Sequence, residues 1–221
     1  MTSSPAKPAK QMSYPVLKEI FTRFRDLEPE PKGELDHTNA YTLVVAVALS
    51  AQATDVGVNK ATKGLFKVAD TPQKMLDLGI DALTDHIKTI GLFRQKAKNV
   101  MKTAQILVDD YGGEVPSSRA ALVSLPGVGR KTANVVLNMW FKQPAQAVDT
   151  HIFRIGHRTG ICPGKDVDAV ERAIEDNIPA EFQHHAHHWL ILHGRYVCKA
   201  RKPMCSNCLI RDLCLFEDKN L

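Results

Sequence analysis

The chain has 221 residues, 44% hydrophobic and 24% charged, with 13 Gly and 12 Pro. That is ordinary globular composition, and it excludes a collagen-like, low-complexity or wholly disordered chain. The longest apolar run, Leu43 to Leu49, is far short of the about 20 residues that span a bilayer, so no membrane crossing is expected. Lys and Arg number 29 against 24 Asp and Glu, a formal charge of +5 that permits a polyanionic partner without requiring one.

The opening residues hold no apolar block of signal-peptide type. Residues 1–11 are expected to form a flexible tail, and the protein to be cytoplasmic with no targeting signal. Leu43 to Leu49 is apolar on all sides. No second β-like run exists to pair with it, so it is expected to be a helix at the centre of a bundle. Val100, Ala104, Leu107, Val108 and Tyr111 recur at helical spacing until Gly112-Gly113 stops them. Ala133, Val136, Leu137 and Trp140 mark another apolar face, and Val167, Val170, Ile174 and Ile178 a third, closed by Pro179. The pattern predicts an all-α protein of about ten short helices. No Pro/Ser-rich linker divides the chain after residue 33, which favours two packed lobes.

Between two of these helices lies Leu125-Pro126-Gly127-Val128-Gly129-Arg130-Lys131, with Ser117 or Ser118 as a cap for the helix before it. Two glycines allow a tight turn and close backbone approach. The turn ends at a helix N-terminus, where open N–H groups and the positive dipole end attract a phosphate. Such a contact reads no base. The alternative is a plain helix–helix turn. Lys131 follows immediately, where the helix end and Arg130 both disfavour an ammonium. A neutral amine there could attack a sugar carbon and form a Schiff base, or the lysine could simply touch a phosphate.

Asp149 stands where a loop meets the apolar helix His151-Ile152-Phe153-Arg154. It fits a helix N-cap, and an ionised carboxylate in that place could also stabilise a cationic transition state or take a proton.

Four of the five cysteines lie near the end of the chain, at Cys198, Cys205, Cys208 and Cys214. The spacing suits a tetrahedral zinc ion or a cubane iron–sulfur cluster, with a disulfide pair as the third choice. Lys199, Arg201 and Lys202 between the first two cysteines could offset the charge of four thiolates or grip DNA phosphates. Cys162 stands apart as an ordinary buried thiol. The run His184-His185-Ala186-His187-His188 reads as a packed or solvated helix face, with a stray metal as the alternative.

Taken together, these motifs resemble the endonuclease III family, bifunctional DNA glycosylases of the helix-hairpin-helix superfamily. The resemblance covers about residues 14 to 216. It is carried by Leu49-Ser-Ala-Gln52-Ala-Thr-Asp55, Ile87-Lys-Thr-Ile90-Gly-Leu92, Leu125 through Leu137, Val148 through Arg154, His188 through Arg195 and the cysteine spacing. The tail of about eleven residues and the histidine run go beyond the family pattern. The resemblance implies a two-lobed all-α fold with a cleft between the lobes. One lobe would be a six-helix barrel over 33–143. The other would join 12–32 to 144–221 and hold a [4Fe–4S] cluster on the four cysteines. Lys131 would be the Schiff-base lysine and Asp149 the catalytic aspartate. Gln52 and Leu92, with Ile90 nearby, would fill the gap left by a flipped nucleotide. Leu125, Gly127, Gly129 and Arg130 would hold the DNA backbone.

The expected partner is damaged double-stranded DNA, bound by a monomer. The expected reaction is removal of oxidised or ring-saturated pyrimidines, followed by cleavage 3′ to the abasic site. The alternatives are a monofunctional mismatch glycosylase, a helix-hairpin-helix protein that only docks on DNA, and a zinc-bound structural adaptor.

Overall fold

A computed structural model describes residues 10–221. The chain divides into two compact units, Gly33–Gln143, and Met1–Lys32 with Pro144–Leu221. No strand occurs among the described residues, as the sequence predicts. None of their helices is long and apolar enough to cross a membrane.

The Gly33–Gln143 unit is built on α2 (Ala40–Ser50), the central helix expected from the all-round apolar run. Its start is fixed by a reciprocal cap, in which the Asn39 side chain accepts from the Thr42 amide and the Thr42 hydroxyl accepts from the Asn39 amide. Around it pack α3 (Asp55–Val68), α6 (Phe93–Tyr111) and α8 (Arg130–Met139). The short helices α4 (Pro72–Leu78) and α5 (Ile80–Ile87) lie against α6, and the five-residue α7 (Arg119–Val123) against α8. Gly112 ends α6 with a left-handed φ of 60°, as the Gly-Gly pair foretells.

The other unit buries α1 (Tyr14–Leu27) against α9 (Thr150–Thr159), α10 (Val167–Asn177) and α11 (Gln183–Leu192). Leu17, Ile20, Phe21 and Phe24 meet Ile152, Ile155, Val170, Ile174, Phe182 and Trp189 in one apolar core. The Phe21 and Phe182 rings stack with centroids 5.9 Å apart, and Trp189 Nε1 donates to the Glu28 carbonyl at 2.8 Å. The buried Gln183 amide donates to the Ile174 and Ile178 carbonyls, both at 2.8 Å, and closes the end of α10. His187 and His188 are buried in this packing, so the histidine run is largely a packed face. Cys162 is buried as expected.

Two apolar positions depart from their predicted faces. Trp140 is 40% exposed and Val167 47% exposed. Each sits at a helix limit, Trp140 just past the end of α8 and Val167 at the first residue of α10, where the stripe has already turned off the core. The expected tail, 1–11, falls mostly where nothing is described. Residues 1–9 lie outside the described residues, while the Gln11 side chain donates to the Ile161 carbonyl at 2.8 Å and the Met12 amide to the Gly160 carbonyl at 2.9 Å.

Candidate active site

In the Gly33–Gln143 unit, α7 is capped by Ser118, whose hydroxyl accepts from the Ala121 amide. The chain then turns through Pro126-Gly127-Val128-Gly129 into α8. The Val128 amide donates to the Leu125 carbonyl at 3.0 Å and closes the turn. Gly127 has φ +79°, and a Cβ there would lie 2.9 Å from Asn99 Nδ2, so any other residue would be strained and would displace Asn99. Thr103 Oγ1 donates to the Pro126 carbonyl at 3.0 Å. Gly129 is the N-cap of α8 and supplies no capping side chain. Within the described residues the Gly127 and Gly129 amides meet no acceptor. The turn therefore presents open donors at the positive end of a ten-residue helix.

Gly127, Gly129, Arg130 and Lys131 are all exposed, with Lys131 in the first turn of α8. Leu125 is buried, and its carbonyl closes the turn.

Two further turns of the same unit carry the other expected contacts. Gln52, between α2 and α3, has φ +55°, and Leu92, at the start of α6, has φ +57°. Left-handed backbone costs a non-glycine residue about 1–2 kcal/mol, so each residue is held there by its surroundings. The turns are neighbours, since a Cβ on Gly91 would lie 3.9 Å from the Gln52 carbonyl. Gln52 and Leu92 are exposed, Leu92 to 64%. Ile90, the third expected contact in these turns, is buried.

In the other unit, Asp149 caps α9. Its Oδ1 accepts from the His151 and Ile152 amides, each at 2.9 Å. Its Oδ2 lies 3.0 Å from His151 Nδ1. With a carboxylate as acceptor, Nδ1 is the donor. The Asp149 side chain is only 10% exposed. Gly194 backs this arrangement, because a Cβ there would fall 2.8 Å from His151 Cβ.

Further along α9, two arginines grip the cysteine loop. Arg154 donates to the Gly194 carbonyl at 2.8 Å and the Cys198 carbonyl at 3.2 Å. Arg158 reaches the Lys199 and Ala200 carbonyls at 2.8 and 3.0 Å, and its Nη1 lies 3.6 Å from Cys198 Sγ. Arg23 of α1 clamps the loop from another side, through a bidentate pair with Asp212 at 2.6 and 3.0 Å and a bond to the Leu209 carbonyl.

The four cysteines are free thiols that follow a π-helical turn over His193–Val197. The Phe216 amide points at Cys214 Sγ at 3.5 Å. Burial raises the Cys208 and Cys214 thiols above their ordinary range, and the other cysteines of the group push in the same direction. Among the described residues, no group of three or more His, Cys, Asp or Glu is gathered to hold a single metal ion. Lys199, Arg201 and Lys202 are exposed around the loop. Asn99, Thr103, His151, Gly194, Arg154 and Arg158 were not identifiable as supporting residues from the sequence. The glycine pair and the Asp149 cap were.

Residues 45–180 match the model of the HhH-GPD superfamily of base excision DNA repair proteins. Endonuclease III of Escherichia coli (strain K12) is 56% identical over 201 residues, covering 91% of this chain and 95% of its own. Endonuclease III of Haemophilus influenzae (strain ATCC 51907 / DSM 11121 / KW20 / Rd) is 57% identical over 201 residues, with the same coverage of each chain. The solved structure of a trapped endonuclease III–DNA covalent intermediate superposes with a TM-score of 0.84 at 42% identity, over 93% of this chain and 97% of that one. The chain belongs to the endonuclease III family of the HhH-GPD superfamily of base excision DNA repair proteins, and is a DNA glycosylase.

Proposed function

We propose that the chain removes oxidised or ring-saturated pyrimidines from duplex DNA and then cleaves the strand at the abasic site, with Lys131 as nucleophile and Asp149 as the catalytic carboxylate. The observation that carries this reading is Lys131 in the first turn of a helix that follows the open Gly127 and Gly129 amides. The relative trapped as a covalent intermediate with DNA supports a covalent step.

The Gly127 and Gly129 amides take a backbone phosphate, independent of sequence. A damaged base stacks poorly and leaves the duplex at reduced cost. Gln52 and Leu92 fill its place. The Lys131 Nζ lone pair forms a bond to C1′ as the glycosidic bond breaks and its electrons leave with the base. The Asp149 carboxylate stabilises the developing positive charge on the sugar and relays protons, work worth about 10²–10⁴-fold in rate. Nζ then gives up a proton and the C1′–O4′ bond breaks, O4′ taking that electron pair and a proton, which leaves an iminium at C1′. The iminium acidifies C2′, whose proton departs as the 3′ C–O bond breaks and the 3′ phosphate leaves. Water then releases Lys131. We place the enzyme in the bacterial cytoplasm, acting as a monomer.

Cys198, Cys205, Cys208 and Cys214 would hold a [4Fe–4S] cluster. The donor set fits: free thiols affect one another's ionisation, and Arg158 and the Phe216 amide are aimed at two of the sulfurs. A cubane seats each thiolate on its own iron, and so asks for wider sulfur spacing than one tetrahedral ion does. The cluster would supply positive iron centres that offset four mutually repelling thiolates and tie the loop into a stable cross-link, a structural contribution rather than a reacting group. Cys205→Ser is expected to yield colourless, poorly soluble protein.

The test is borohydride trapping on a duplex with one thymine glycol, comparing wild type with Lys131→Gln. A covalent adduct in the wild type alone supports both activities. An adduct with an abasic site but none with thymine glycol keeps the lyase and overturns the base specificity. No adduct with either leaves Lys131 as a phosphate contact.

A further inference from the structure

The open amide of Gly127 is aimed by a residue that touches no ligand. The peptide between Pro126 and Gly127 has its carbonyl tied down, because the Thr103 hydroxyl donates to the Pro126 oxygen at 3.0 Å. Thr103 is only 3% exposed and sits in the middle of α6, on a helix that precedes the hairpin by more than twenty residues. No cis peptide occurs among the described residues. In a trans peptide the carbonyl oxygen and the amide hydrogen point in opposite directions. Fixing the Pro126 oxygen toward α6 therefore turns the Gly127 N–H away from α6, out to solvent, where Gly127 is exposed.

A second contact backs the same peptide one helical turn earlier on α6. Asn99 occupies the space where a Gly127 Cβ would stand, with Nδ2 2.9 Å and Cβ 3.2 Å from that point. Its Oδ1 accepts from Gln95 Nε2 at 3.0 Å, which holds the amide group in place. A glycine in a tight turn has two accessible peptide orientations, because its φ is free on both sides of zero. Thr103 from below and Asn99 from the side leave one. The turn bond from Val128 to Leu125 also closes this loop.

We propose that Thr103 is a positioning residue for the phosphate contact, fixing the Pro126–Gly127 peptide so that the Gly127 amide faces the DNA backbone before any DNA arrives. This rests on the reading of the hairpin as the phosphate-binding element. Preorganisation matters here because an amide that must first rotate gives up part of the binding energy it supplies.

The test is a coupling measurement between protein and DNA. A set of duplexes carries an uncleavable abasic-site analogue and one neutral methylphosphonate at each successive linkage around it. Binding is measured for the wild type, Thr103→Val and Thr103→Ser. Valine keeps the shape and removes the hydroxyl, whereas serine restores the donor. In the wild type, one linkage on the hairpin side is expected to lose about tenfold in affinity when neutralised, the worth of one hydrogen bond to a charged group. Thr103→Val is expected to bind the unmodified duplex about three- to tenfold more weakly, and to lose its sensitivity at that one linkage while keeping it at the others. Thr103→Ser should recover both.

A general loss of fold would lower affinity at every linkage alike, so sensitivity that falls evenly overturns the proposal. So does a Thr103→Val protein that retains the full wild-type profile. A wild type with no sensitive linkage on the hairpin side, and none affected by Gly127→Ala, removes the phosphate reading itself and the positioning role with it.

Discussion

Two helices begin beside the residues proposed to do the chemistry, and they begin in opposite ways. α9 opens on Asp149, whose Oδ1 takes two amides and whose Oδ2 meets His151. α8 opens on Gly129, which has no side chain to offer and whose own amide, like that of Gly127, meets no acceptor among the described residues. Both ends carry the same positive dipole. One holds an anion of its own and the other is left for an anion from outside. The internal anion is nearly buried and fixed in direction, as a charge stabiliser must be. The external one needs an exposed and empty turn, and here the surrounding support comes from behind, through Thr103 and Asn99.

The largest test of this contrast separates cap from catalyst at Asp149. Asparagine caps a helix about as well as aspartate but carries no charge. Asp149→Asn is expected to slow base release by about 10²–10⁴-fold in single-turnover assays while urea unfolding stays near wild type. Asp149→Ala should add a stability loss of about 1 kcal/mol. A wild-type rate in the Asp149→Asn protein would make the carboxylate a cap and nothing more.

Next comes the conversion of one terminus into the other. Gly129→Asp gives α8 an anion of its own. It is expected to raise stability by about 0.5 kcal/mol and to weaken DNA binding by about tenfold or more, because the carboxylate occupies and repels the phosphate's place. Unchanged DNA affinity would show that the open terminus is not where the backbone sits.

The smallest effect concerns a cation of the same unit that no anion serves. Lys96 of α6 is 7% exposed, and its ammonium makes no hydrogen bond within the described residues. Burial holds it below its ordinary value of 10.5. Lys96→Met is expected to stabilise the protein by about 1 kcal/mol at neutral pH. Between the lowered folded value and 10.5 the unfolded chain binds a proton that the folded chain does not, so wild-type stability rises with pH across that window. The advantage of the methionine variant should shrink accordingly in alkaline unfolding curves. An advantage constant with pH would mean that packing, and not the charge, sets the difference.

How far the sequence could be read follows from the range of each interaction. The central helix, the Gly112 stop and the Asp149 cap are local patterns, and each stands where spacing puts it. Trp140 and Val167 failed because a stripe of helical period continues on paper after the helix has left the core. Gln52 and Leu92 carry no glycine signal for their left-handed turns, so only the resemblance picked them out. Thr103 and Arg158 act across 23 and about 40 residues of chain, and no local rule pairs such positions. The four cysteines announced a shared ligand, but the spacing left zinc and cluster both open.

The path of the chain through its second unit has a consequence for synthesis. Phe21 and Phe24 emerge early, yet the residues that cover them include Phe182 and Trp189. The bond from Trp189 to Glu28 spans 161 residues. At about 5–20 residues per second, α1 waits roughly 8 to 30 s on the ribosome for its partners. Gly33–Gln143 is contiguous and can fold during that interval. The nascent protein therefore passes through a stage with one finished unit and one greasy, uncovered helix ahead of it, a natural substrate for a holding chaperone.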